Sequence, residues 1–130
     1  MATGNTLIVD DEEDMRFLLF VAINNENEGL RVVGEASDGD SALQSWRDLE
    51  VDVVVLDERM PGRSGLETAE ALLAEAPDLP IVLFSAFMDE ATTNRAGELG
   101  VRACVTKGDM PALLSTLRHV TGLDAADGTR

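Results

Sequence analysis

The stretch Val51-Asp52-Val53-Val54-Val55-Leu56-Asp57 is almost wholly apolar and β-branched, and it ends on an acid. β-Branched side chains favour extended backbone. A run with so little polar alternation suits a strand buried on both faces, the habit of parallel sheets. Parallel strands need crossover connections, usually helices. The flanking segments supply them.

Upstream, Leu7-Ile8-Val9 is a short apolar run ending on Asp10-Asp11. Residues 12–28 then place Met15, Leu18, Leu19, Ala22 and Ile23 at helical spacing. Asn27-Glu28-Gly29 stops this helix, with Gly29 in the left-handed cap position. Leu30 to Ser37 reads as a second strand. Asp38-Gly39-Asp40-Ser41 turns into a helix marked by Ala42, Leu43, Trp46 and Leu49. Downstream, Pro61-Gly62-Arg63-Ser64-Gly65 is a loop, and residues 66–76 are helical until Pro77-Asp78. Ile81 to Phe84 is a fourth strand ending on Ser85, and 89–99 a helix. Arg102 to Thr106 is a fifth strand ending at Lys107. Leu113, Leu114, Leu117 and Val120 stripe the last helix.

Five βα repeats predict an α/β fold: a doubly wound (βα)5 sandwich around a five-stranded parallel sheet of order 2-1-3-4-5. Its length of 130 residues suits one domain. Residues 1–121 are expected to form it, with 122–130 a flexible tail or the start of a linker. Such sheets place their sites beyond the carboxyl ends of the strands. Asp10, Asp11, Asp57, Ser85 and Lys107 all stand there. Strands 1 and 3 are neighbours in this order, so three carboxylates should meet in one crevice.

Three carboxylates in a small space repel one another. Two unit charges about 4 Å apart interact by roughly 4 kcal/mol at an effective dielectric near 20. Hard oxygen ligands of this kind suit Mg²⁺. Lys107 adds a positive point charge and Ser85 a hydroxyl donor. Such an arrangement fits phosphoryl transfer, where positioning and charge neutralisation do most of the work. The acceptor would be a carboxylate. Asp57 is the candidate, lying between the acidic pair and the Ser/Lys pair.

Charge narrows the partners. Ten Lys and Arg against 25 Asp and Glu give a net charge of −15. Duplex binding needs clustered cations, so direct nucleic-acid contact is not expected. Anionic membrane surfaces are disfavoured for the same reason. Cys104 is the sole cysteine, which rules out an internal disulfide. Met1 to Thr6 has no secretory character, and no apolar run is long enough to span a bilayer. A cytoplasmic location is expected.

Val9-Asp10-Asp11-Glu12, the run from Leu56 to Glu67, Ser85-Ala86 and Lys107 together resemble the receiver domain of two-component response regulators. The resemblance covers about residues 5 to 121. It implies that a histidine kinase supplies the phosphoryl group and that Asp57 accepts it with Mg²⁺. It also implies Asp11, Asp57 and the Arg59 backbone carbonyl as direct metal ligands, with Asp10 assisting. The face made by helix 4, strand 5 and helix 5 would then control a downstream effector or an output domain outside this chain, with homodimerisation as one form of response. Receiver domains often carry Tyr or Phe three residues before the Lys. Here Cys104 stands there, and Phe87 is the candidate substitute ring. Gly108 follows the Lys where many members have Pro. By the same resemblance, Arg59 and Phe87 flank the acyl phosphate and tune water access.

Simpler readings exist for several of these residues. Glu12, Glu13 and Asp14 read as an ordinary acidic helix start. Ser85 alone would serve as a helix cap. His119, late in the last helix, reads as a surface residue. A Mg²⁺-dependent phosphatase with Asp57 as nucleophile is the alternative enzyme, but it wants an acid two residues on, where Arg59 cannot donate that proton. The other alternative is an adaptor with a vestigial site. The expected protein is a switch rather than a turnover enzyme.

Overall fold

The computed structural model describes residues 3–26 and 29–124. Five strands and five helices alternate: β1 Gly4–Val9, α1 Glu13–Glu26, β2 Leu30–Ala36, α2 Gly39–Asp48, β3 Val53–Leu56, α3 Gly65–Glu75, β4 Ile81–Ser85, α4 Glu90–Leu99, β5 Ala103–Thr106 and α5 Met110–Val120. The sheet is parallel, in the order β2-β1-β3-β4-β5. The expected fold class and strand order are both present.

The pleat divides the apolar residues between two layers. Leu7, Val9, Val54, Leu56, Ile81 and Leu83 pack on one side with Ala42, Leu43, Ala69, Leu72 and Ala96 from α2, α3 and α4. Ile8, Val53, Val55, Val82 and Phe84 pack on the other with Leu19, Ile23, Leu113 and Leu117 from α1 and α5. All four residues of β3 are buried, as its composition requires. Each fully buried aliphatic side chain contributes about 1.5–3 kcal/mol.

Some boundaries differ from the sequence reading. β1 begins at Gly4, three residues before the apolar run, because Gly4 pairs with Leu30 and accommodates its side chain closely. β3 begins at Val53 rather than Val51, since the Asp52 carboxylate is taken by the Asn5 amide and the Thr3 hydroxyl. Gly29 has a φ of +94°, as its position suggested. Leu18 is not on the buried face of α1. It is 54% exposed, with Phe17, Phe20 and Val21 also exposed. Residues 17–23 are apolar almost all round, so spacing alone does not choose the core stripe. Leu123 lies against Gly4 and Gly29, so chain ordering continues past α5. The tail expected over 122–130 falls outside the described residues from 125 onward.

Candidate functional site

Backbone hydrogen bonds carry the sheet ladder one step past the strand ends. The Asp10 amide donates to the Ala36 carbonyl at 3.1 Å, the Asp57 amide to the Val9 carbonyl at 3.0 Å, and the Lys107 amide to the Ser85 carbonyl at 2.9 Å. Val9 pairs with Leu56, so Asp10 and Asp57 leave the sheet at the same level. Ser85 pairs with Thr106, which sets Lys107 beside them. The side chains inherit their positions from the sheet.

Asp10, Asp11 and Asp57 each offer a carboxylate oxygen within 4.8 Å of the others. Asp10 and Asp57 are buried, and Asp11 is exposed. Lys107 Nζ lies 2.9 Å from Asp10 Oδ2 and 3.4 Å from Asp57 Oδ2. Asp10 Oδ1 also accepts from the Glu12 amide at 2.9 Å. Arg16 donates to the Asp10 carbonyl at 2.7 Å, steadying the start of α1. The acidic group fits a small hard cation: its donors are all carboxylate oxygens, and one ammonium cannot neutralise three of them.

A cleft of about 250 Å³ opens over this group. Asp11, Asp57, Arg59, Ser85, Phe87 and Lys107 line it, together with Glu12 and Ala86. Asp10, Asp11, Asp57, Arg59, Ser85, Phe87 and Lys107 therefore converge, whereas the expected switch residue Cys104 does not join them. Two expectations for Ser85 separate here. It closes β4 and faces the cleft, while Asp89 caps α4 by accepting from the Thr92 amide. Cys104 is half-buried against the layer containing Leu83, and it is not among the residues lining the cleft. Burial pushes its thiol pKa up. His119 is exposed and lies 3.0 Å from Asp124, outside the site.

Three features were not read from the sequence. Glu12 reaches Lys107 at 3.6 Å instead of acting as a plain helix-start acid, because α1 begins one residue later. The Arg59 guanidinium stacks over the Phe87 ring at 4.3 Å, a cation–π pair at the mouth of the cleft. Glu58 accepts from the Leu66 amide at 2.8 Å, tying the residue after Asp57 to the first turn of α3.

The Asp57 carboxyl is pushed above the usual carboxylate range. Burial is the main cause and the Asp10 charge adds to it, while Lys107 opposes both. Burial alone would lower the Lys107 pKa, but Asp10 and Asp57 outweigh it and raise it. A carboxyl whose pKa rises on folding stabilises the fold while protonated, and this is lost as pH rises through the folded value. Asp57→Asn is therefore expected to stabilise the metal-free protein at neutral pH. The advantage should shrink as pH falls through the raised Asp57 pKa. Urea midpoints of both proteins across that range check this; a gap independent of pH would contradict it.

The family model for the response regulator receiver domain matches residues 6–118. The chain belongs to the response regulator receiver domain family, whose members serve in two-component signalling. The response regulator GacA of Pseudomonas aeruginosa is 33% identical over 115 residues, covering 88% of this chain and 53% of that protein. The chain thus spans about half of that relative's length. The response regulator domain of Thermotoga maritima CheB is 27% identical, with a TM-score of 0.85, covering 92% of this chain and 97% of that one. The response regulator TrrA of Thermotoga maritima, solved in complex with Mg(2+)-BeF, is 28% identical, with a TM-score of 0.80, covering 91% and 99%. Among the described residues, no helix is long and apolar enough to cross a membrane.

Proposed function

We propose that this domain is a phosphorylation-controlled switch in which Asp57 takes a phosphoryl group from a histidine kinase. The observation that carries this reading is the buried Asp57 carboxylate flanked by Asp10, Asp11 and Lys107. An Asp57 oxygen forms the new bond to phosphorus as the phosphorus–nitrogen bond of the donor's phosphohistidine breaks, the electron pair staying on the histidine nitrogen. Lys107 balances charge on the transferred group, and the Ser85 hydroxyl donates a hydrogen bond to it. Asp10, Asp11, Asp57 and the Arg59 carbonyl would hold Mg²⁺, which offsets charge on the phosphoryl oxygens when bound. Crystallisation of TrrA with Mg(2+)-BeF, a phosphoryl mimic, supports the same chemistry here.

The proposed kinase partner has an apolar surface to meet in Phe17, Leu18, Phe20 and Val21 of α1. The output is an effector or a further domain, reached through α4, β5 and α5, with phosphorylation-linked dimerisation as one route. Cys104 and Phe87 replace a single reporting ring in this scheme. A phosphatase reading is weaker, because Arg59 takes the place of the needed acid. The proposed setting is the cytoplasm, with residues 1–121 as the switch unit.

Phosphodonor treatment with Mg²⁺, read by intact mass, tests the proposal. Wild type should gain one phosphoryl group and Asp57→Asn none. Equal labelling of both proteins would sink it. Arg59 and Phe87 shield the cleft mouth by stacking, so Arg59→Ala and Phe87→Ala should shorten the phosphoryl lifetime about three- to tenfold, the scale of losing an interaction near 1 kcal/mol. Formation rates should change less. Unaltered decay in both variants would refute the shielding role.

A further inference from the structure

We propose that Glu12 sets which phosphoryl donors the Asp57 cleft accepts, an inference that rests on Asp57 being the acceptor. Lys107 Nζ is shared by three carboxylates, at 2.9 Å from Asp10, 3.4 Å from Asp57 and 3.6 Å from Glu12. The first two are buried, whereas the Glu12 side chain is 66% exposed and lines the cleft that an incoming donor must enter. Its backbone is anchored, since its amide donates to Asp10 Oδ1.

Glu12 decides whether the cleft and the acidic group beneath it carry a net positive charge. Asp10, Asp11 and Asp57, set against Lys107, Arg59 and a divalent cation, leave a net positive charge of one. The Glu12 carboxylate cancels it. A neutral mouth exerts no long-range pull on an anion. Glu12 also repels phosphate oxygens at close range and holds part of the Lys107 charge away from them. A dianionic donor bears this cost in full. A donor whose phosphorus is bound to a protonated nitrogen bears less of it. Glu12 therefore disfavours small dianionic acyl phosphates relative to nitrogen-linked phosphoryl groups.

Two donors separate these cases. Acetyl phosphate is a dianion at neutral pH and releases acetate. Phosphoramidate is a monoanion with a protonated nitrogen and releases ammonia. In each, the Asp57 oxygen forms the bond to phosphorus and the leaving group keeps the electron pair. For Glu12→Gln, the acetyl phosphate rate should rise about three- to tenfold, the effect of removing one charge several ångström away at intermediate dielectric. The phosphoramidate rate should rise by a smaller factor, and Glu12→Asp should return the ratio toward wild type. Lys107 is the only lysine in the chain, so lysine labelled with ¹³C gives one side-chain set in an NMR spectrum. That signal should move in metal-free Glu12→Gln. An unchanged donor ratio, an equal acceleration with both donors or an unmoved lysine signal would overturn the proposal. Wild type that labels with neither donor would remove the acceptor reading, and this inference with it.

Discussion

Gly65→Ala is expected to lower stability by about 2–4 kcal/mol and to slow labelling of Asp57, although alanine is the better helix former. Gly65 opens α3 directly beneath the loop that leaves β3. Its amide donates to the Glu58 carbonyl at 2.9 Å. A Cβ there would collide with the Asp57 carbonyl oxygen and lie 2.7 Å from Glu58 Cα. Both obstacles are backbone, so neither can rotate away. Relief requires the helix to retreat or Asp57 to shift, and a misplaced acceptor reacts slowly. Gly97, inside α4, is the contrast: a Cβ added there meets nothing within 4 Å. Gly97→Ala should add roughly 0.5–1 kcal/mol through helix propensity alone. Urea unfolding and labelling rates of both variants check this. A Gly65→Ala protein as stable as wild type would show that the packing beneath Asp57 is looser than described.

Lys107→Met should cost about 2–4 kcal/mol in metal-free buffer, because it strands buried carboxylates without their cation. The side chains involved are almost fully enclosed, at 2% exposure for Asp10 and 12% for Lys107. Methionine keeps the length and removes the charge. Mg²⁺ should recover much of the loss, since a divalent ion neutralises the same carboxylates. Thermal or urea unfolding with and without Mg²⁺ measures both effects. A loss of the same size in both buffers would mean that packing, not charge, is what Lys107 supplies. Asp57→Asn should act in the opposite direction in metal-free buffer, so the two variants bracket the charge imbalance of the site.

The fold was legible because β3 is an unbroken apolar run and because strand ends carry polar groups at regular intervals. Asp10, Asp57, Ser85 and Lys107 each follow a run whose period could be read, and the parallel topology did the rest. What escaped were contacts between residues that owe nothing to period. Arg59 and Phe87 lie in separate loops, and no spacing rule joins them. Glu12 looked like a helix-start acid because acids are common there; its reach to Lys107 depends on α1 starting at Glu13. Leu18 was misplaced because α1 is apolar on several faces. The value of Ser85 was ambiguous until Asp89 emerged as the cap of α4.

Asp10, Asp57 and Lys107 are tied to neighbouring strands by their own backbone amides, and none of the five proposed chemical groups lies within a helix. The proposed reactive centre is thus held by the sheet and its loops and not by the helices. On the proposed reading, helix surfaces such as the exposed residues of α1 are open to exchange while the reactive centre stays in register. An engineer could graft new partner preferences onto α1 or α5 and leave the chemistry alone, whereas a one-residue insertion in β3 would break it.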